Sequence, residues 1–208
     1  MQDNRIVHIV DDDEAVRQSL AFLLGSAGLA VRLYDSATAF LAGLSGVKDG
    51  CLITDMRMPD MTGIELLHQL RAKACGLPAI VITGHGDVAL AVEAMKAGAI
   101  DFIEKPFDEE AILNAVQAAF ERGGGGEGGE GPAIAARLAS LSERERQVVE
   151  GLIAGHPNKT IAYDLGISPR TVEVYRANLM TKMEARSLSE LIRMAIIANV
   201  TPTRRAAK

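Results

Sequence analysis

Five short apolar runs, at residues 5–10, 30–34, 50–54, 79–83 and 100–104, punctuate the first half of the chain. Their centres are largely Ile, Val and Leu without strict alternation, as in parallel strands covered on both faces. Between them apolar residues recur at helical spacing. Val16, Leu20, Leu23, Leu24 and Ala27 share one face of a first helix. A fourth helix starts at Asp87, a good N-cap, and stops at Gly98, a good C′ residue, with Val88, Val92 and Met95 turned inward. A fifth starts at Asp108, and Glu109 and Glu110 in its first turn suit the helix dipole. This alternation predicts an α/β class domain over residues 1–122, a doubly wound sheet of five parallel strands. Ligands of such sheets sit beyond the carboxyl ends of the strands.

No strand pattern continues after residue 131. Ser142–Glu145 is a capping box opening a helix with Val148, Val149, Leu152 and Ile153 on its apolar face, and Gly155 and Pro157 end it. A short helix over 158–165 turns Ile161 and Leu165 inward, and Gly166 makes the turn. Ser168-Pro169 pairs an N-cap with an N1 proline, a strong start for a third helix with Val172, Tyr175, Leu179 and Met183 on one face. A helix over 188–197 covers the core. Residues 132–208 therefore read as an all-α, four-helix domain holding a helix-turn-helix, whose second helix enters the major groove.

Between the halves, residues 123–131 read GGGGEGGEG, a flexible linker with no side chain able to bury apolar area. Charge divides at the same place. Residues 1–122 carry 10 Lys/Arg and 18 Asp/Glu, and residues 132–208 carry 12 and 7, within an overall net charge of −5. An acidic half suits a cation and a basic half suits nucleic acid. No uncharged apolar run reaches membrane-spanning length, and the N-terminus lacks a basic region leading into a long apolar core, so neither a membrane span nor a secretory signal is expected. Cys51 and Cys75 carry no partner motif, excluding a disulfide scaffold or zinc site and fitting a cytoplasmic protein.

The polar residues at the strand ends carry the chemistry. Asp11, Asp12 and Asp13 follow strand 1, Asp55 follows strand 3, Thr83 ends strand 4, and Lys105 follows strand 5 before Pro106. Asp13 is assigned to capping helix 1. Carboxylates gathered in one crevice repel unless one is protonated or a cation intervenes. Hard oxygen donors suit Mg²⁺, and a magnesium ion with a lysine beside a carboxylate is what phosphoryl transfer to that carboxylate needs. His8 is expected to be packed and His68 to lie on a helix surface. His85, flanked by glycines, has no evident orienting partner for base chemistry.

On the recognition helix, Arg170, Val174, Ala177 and Thr181 lie opposite the apolar face, with Glu173 and Asn178 flanking. Arg176 and Lys182 are long enough to reach phosphates. The candidate contact set is Arg170, Thr171, Glu173, Val174, Arg176, Ala177 and Lys182. Glu173 can accept from cytosine N4 and Val174 can pack on a thymine methyl. The tail TPTRRAAK is basic and a further candidate for DNA.

VDDDEAVR, ITDMRMPDMTG, ITGHGD and MKAGAIDFIEKPF, in that order, resemble the receiver domain of bacterial two-component response regulators. The resemblance implies that Asp55 accepts a phosphoryl group from a histidine kinase. It implies a Mg²⁺ site of Asp11, Asp12, Asp55 and the Arg57 carbonyl, phosphoryl contacts from Thr83 and Lys105, and a switch aromatic at Phe102. It also implies a cis Lys105–Pro106 bond and a homodimer face through Val88, Val92, Met95 and Lys96 when phosphorylated. LSERERQVVEGLIAGHPNKTIAYDLGISPRTVEVYRANLMTKM resembles the LuxR-type DNA-binding domain, with Glu173 and Ala177 making the outward face less basic than in many members. Receiver, linker and effector together resemble regulators of the FixJ type. That implies promoter DNA and RNA polymerase as partners and activation of nitrogen-fixation genes.

Other readings remain open at this stage. Asp11 and Asp13 have the D-x-D spacing of magnesium-dependent aspartyl-nucleophile phosphatases, although Asp55 is then unexplained and no cap insertion is present. The first half could instead sense a small ligand, which would need an apolar pocket. The second could bind RNA or protein alone. The linker permits both dimer-driven DNA binding and relief of a masked effector.

Overall fold

The computed structural model describes residues 6–47, 49–84, 88–122 and 131–200. His85, the Asp87 cap, the stretch 123–130 and the tail 201–208 lie outside the described residues. The chain divides into two compact units, residues 1–86 with 97–126 and residues 87–96 with 127–208.

The first unit contains strands β1 (Ile6–Val10), β2 (Ala30–Tyr34), β3 (Gly50–Asp55), β4 (Ala79–Thr83) and β5 (Asp101–Glu104). They form one parallel sheet in the order β2-β1-β3-β4-β5. Helices α1 (Glu14–Ser26), α2 (Ala37–Ala42), α3 (Gly63–Ala72) and α5 (Glu109–Arg122) connect or follow them, and α4 (Val88–Ala97) lies in the chain between β4 and β5. The order reverses between β1 and β3, so their carboxyl ends form the edge where such sheets take ligands. Val7, Ile9, Ile53, Ile80 and Ile82 pack with Leu20 and Leu24 of α1 and Ile112, Val116 and Phe120 of α5. Each such side chain contributes about 1.5–3 kcal/mol by leaving water.

Two expectations shift. Strand β2 is not covered on both faces: Arg32 and Leu33 are exposed, because β2 is an edge strand. Ala27 is exposed and caps the end of α1, so it does not join the inward face.

The second unit adds α6 (Gly131–Ala139), α7 (Glu143–Ile153), α8 (Asn158–Leu165), α9 (Pro169–Met183) and α10 (Leu188–Ile197). Helix α6 corrects the four-helix expectation, and Gly131, counted with the linker, is its first residue. Ile134 explains it: this side chain is 1% exposed and joins the core of Val148, Val149, Leu152, Ile161, Val172, Leu179 and Met183. The remaining four helices follow the expected pattern. Ser142 and Glu145 close a capping box on α7, and Gly166 turns between α8 and α9 at φ 65°, where a side chain would be strained. Ser168 caps α9 with Pro169 next.

Candidate functional site

The parallel register places the candidate residues side by side. Val10 pairs with Thr54, Asp55 with Ile82, and Thr83 with Glu104. The next residue of each terminated strand therefore enters the same crevice. Asp11 and Asp55 are buried there, at 2% and 8% exposure, and Thr83 at 1%. Lys105 reaches across them. Its Nζ donates to Asp55 Oδ1 at 2.6 Å and to Asp11 Oδ2 at 2.9 Å. Backbone donors hold the remaining oxygens: Arg57 N to Asp55 Oδ2 at 2.6 Å and Asp13 N to Asp11 Oδ1 at 2.9 Å. Arg17 Nη1 fixes the Asp11 carbonyl at 2.7 Å, and Lys105 N donates to Thr83 O at 2.7 Å. The Lys105–Pro106 bond is cis, as the resemblance implied.

Electrostatics follow from burial. Burial raises the Asp11 pKa, and its bonds to Lys105 and to the Asp13 N–H do not fully offset that. Burial works to lower the Lys105 pKa, but hydrogen bonds to Asp55 and Asp11 outweigh it, so the ammonium is held charged above its ordinary value. The crevice therefore couples a fixed cation to a carboxylate oriented by a backbone donor.

The donor set fits a hard divalent cation. Asp11 and Asp55 are oxygen donors a few ångströms from one ammonium, with exposed Asp12 next in the chain. Among the described residues no group of three His, Cys, Asp or Glu side chains is already arranged around a metal position.

Other candidates take these places. Asp13 accepts from Ala15 N at 2.8 Å and is the N-cap of α1. The phosphatase reading needed Asp13 as a partner of Asp11, so it is not supported. Phe102 is half-buried on β5, paired with Val81. On α4, Val92 and Met95 are buried, Val88 is half-buried and Lys96 is exposed. His8 is buried beside Tyr34 and Phe40, and His68 is exposed.

Sequence reasoning missed Gly63. A Cβ there would lie 2.5 Å from the Asp55 carbonyl oxygen, so the β3–α3 loop returns over Asp55 only because position 63 lacks a side chain. It also missed Asp60, whose carboxylate takes the Thr38 N–H at 2.9 Å and its hydroxyl at 2.8 Å, tying that loop to α2. The Thr62–Glu65 capping box beside Gly63 was a legible signal for the α3 start.

In the second unit Arg170, Glu173, Val174 and Ala177 are exposed on α9, and Thr171 is half-buried in its first turn. Arg176 and Lys182 are not free extensions. Arg176 Nη1 donates to Asn158 Oδ1 at 2.9 Å, and Lys182 Nζ pairs with Glu145 Oε2 at 2.8 Å.

Residues 7–117 match the response regulator receiver domain family, and residues 139–195 match the luxR family of bacterial regulatory proteins. The transcriptional regulatory protein FixJ of Azorhizobium caulinodans is 57% identical over 204 residues, covering 97% of each chain. FixJ of Rhizobium meliloti is 57% identical over 95% of this chain and 98% of the relative. The response regulator protein TodT of Pseudomonas putida is 41% identical over 91% of this chain and 84% of its own. Among solved structures, full-length FixJ from B. japonicum is 54% identical, with 93% and 97% coverage and a TM-score of 0.57. The acidic crevice with its lysine, the helix-turn-helix and these two matches lead to one assignment: the chain belongs to the two-component response regulators, in the group that joins a receiver to a LuxR-type DNA-binding domain.

Proposed function

We propose that Asp55 is the phospho-acceptor and that its phosphorylation controls DNA binding by the second unit. The observation that carries this reading is the Lys105 bridge: one ammonium spans Asp55 and Asp11, with the Arg57 N–H on the other Asp55 oxygen. An Asp55 carboxylate oxygen attacks the phosphorus of a kinase phosphohistidine. The P–N bond breaks, the imidazole leaves with its electron pair, and an acyl phosphate remains on Asp55. Lys105 neutralises the phosphoryl oxygens, and the Thr83 hydroxyl donates to one of them. Asp11, Asp12, Asp55 and the Arg57 carbonyl would hold Mg²⁺, which when bound adds further neutralisation of phosphoryl charge. The chain thus promotes its own phosphorylation, and its slow hydrolysis, without turning over a free substrate.

Drawing Thr83 towards the phosphoryl group leaves space that Phe102, half-buried on the neighbouring strand, fills. This repacks α4. Val92 and Met95 are buried here, so pairing of two copies through Val88, Val92, Met95 and Lys96 requires that change. A pair reads two half-sites at once, with a high effective concentration for the second. Arg170, Thr171, Glu173, Val174 and Ala177 face the groove, and Arg176, exchanging its bond to Asn158, reaches phosphate from the side of α9. The chain acts at promoter DNA with RNA polymerase in the cytoplasm, and its likeness to FixJ proteins favours activation of nitrogen-fixation genes.

The test is intact-mass measurement of the full chain with and without acetyl phosphate and Mg²⁺, followed by sedimentation. Wild type should gain one phosphoryl group and self-associate, and Asp55→Asn should do neither. Labelling of Asp55→Asn at the wild-type level would overturn the assignment.

A further inference from the structure

The last turn of α9 is held from two sides by the first elements that follow the glycine-rich stretch. Lys182 Nζ lies 2.8 Å from Glu145 Oε2 at the start of α7, and Arg137 at the end of α6 pairs with Glu184, the C-cap of α9. The two ties differ in kind. Glu184 is largely exposed, and such surface pairs contribute little. Glu145 is only 3% exposed. The same Glu145 oxygen also accepts from Ser142 N and Ser142 Oγ, each at 2.8 Å. One buried carboxylate oxygen thus joins the N-cap of α7 to the last turn of the recognition helix. Its bond to Lys182, helped by the Ser142 donors, holds the Glu145 pKa below the ordinary carboxylate value, so it stays charged. Met183, fully buried beside Lys182 in sequence, seats that turn in the core.

We infer that Glu145 and Lys182 position α9 for sequence reading, and that Lys182 serves DNA binding through Glu145 and not by touching phosphate. This rests on the reading of α9 as the groove-entering helix. The groove-facing residues Arg170, Thr171, Glu173 and Val174 lie in the N-terminal half of α9, away from Lys182 in its last turn. A helix of 15 residues is about 22 Å long, so a tilt of about 10° at its anchored end moves the far end by about 4 Å. Base-edge hydrogen bonds do not survive such a shift, whereas loose contacts to phosphate do. Removing Lys182 also leaves the buried Glu145 carboxylate without its cation, which favours the tilt.

The reading predicts a sign opposite to that of simple charge. Glu145→Gln removes a negative charge from a DNA-binding unit and on Coulomb grounds should tighten binding to DNA. Positioning predicts weaker binding to the specific site. Full-length chains treated with acetyl phosphate and Mg²⁺ would be titrated against a duplex enriched from a random pool by wild type, and against poly(dI-dC), over a range of salt. Glu145→Gln and Lys182→Met should each bind the enriched duplex about tenfold more weakly, a loss of about 1.4 kcal/mol. Binding to poly(dI-dC) should not weaken. Lys182→Met should leave the salt slope on the enriched duplex unchanged, where a lost phosphate contact flattens it by about 0.9. Lys182→Arg should restore specific binding. Lys182 is partly exposed, so its Met variant decides the matter even if Glu145→Gln fails to fold. Undiminished specific binding by either folded variant, or a flattened slope with equal loss on both DNAs in Lys182→Met, overturns the proposal. A pool that yields no enriched sequence removes the DNA reading itself and the proposal with it.

Discussion

Lys105 Nζ sits 2.6 Å from Asp55 Oδ1, which brings an ammonium from the end of β5 onto a carboxylate at the end of β3. The contact is largely shielded, since the two side chains are 23% and 11% exposed. A charge placed in that setting before phosphorus arrives needs no rearrangement during transfer.

Replacing Lys105 with methionine keeps the stem and removes the charge. Acetyl phosphate labelling of Lys105→Met should slow by about a hundredfold, the typical cost of losing one fixed electrostatic group. The time course of intact mass measures it. A wild-type rate would show that the ammonium does not assist transfer.

A second prediction concerns pH and lies on β1, three residues before Asp11. His8 is 1% exposed; its Nδ1 lies 3.2 Å from the Tyr34 hydroxyl, and its Nε2 has no hydrogen-bond partner among the described residues. Burial, and then the Arg32 charge, lower its pKa below 6.5. The unfolded chain therefore binds the proton more readily than the folded one. Stability is full above about pH 6.5 and falls as pH drops towards the lowered folded value. His8→Leu removes this slope and, because an unpartnered buried nitrogen goes with it, should cost little at pH 8. Thermal melts of the two proteins between pH 8 and pH 5 should show wild type losing ground to the variant on acidification. Parallel curves would refute it.

How much of this was legible depended on whether a residue acts locally or across space. Strand ends, caps and periodic faces are local. Asp13 as the α1 cap, the Ser142–Glu145 capping box and the limits of α8 and α10 all followed from sequence. The shared placement of Asp11, Asp55, Thr83 and Lys105 was legible too, because parallel topology sends every strand's carboxyl end to one edge. Contacts between elements were not. Nothing in the sequence shows that Lys182 turns to Glu145 and not to solvent, or that Arg176 meets Asn158. Helix α6 was hidden for a different reason: glycines directly before it mask a short Ile134–Leu138–Leu141 spacing.

Gly63 offers a third prediction. Its N–H donates to Met56 O at 3.0 Å while its α-carbon faces the Asp55 carbonyl, so the loop over Asp55 is folded tightly on both sides. A methyl group there must push on backbone, which cannot rotate away. Gly63→Ala should cost about 1–3 kcal/mol, as overpacking does. Chemical denaturation would show a lower midpoint with unchanged slope. An unaltered midpoint would mean that the loop yields without cost.

Ile134 tests whether α6 is part of the DNA-binding unit. The luxR family match starts at residue 139, after most of α6. Yet Ile134 is 1% exposed and packs in the same core as Val172 and Leu179, the inward residues of α9. Truncating a buried isoleucine removes its transfer free energy and leaves a cavity, at a cost of about 2–5 kcal/mol. Ile134→Ala should therefore lower the melting temperature of the second unit by several degrees, whereas Ala135→Ser, at an exposed position of the same helix, should leave it unchanged. Hydrogen exchange resolved by peptide reports each unit separately. Faster exchange in α9 of the Ile134 variant would place α6 within the cooperative unit that carries the recognition helix. Exchange confined to residues 131–139 would make α6 an ornament on a domain that folds without it.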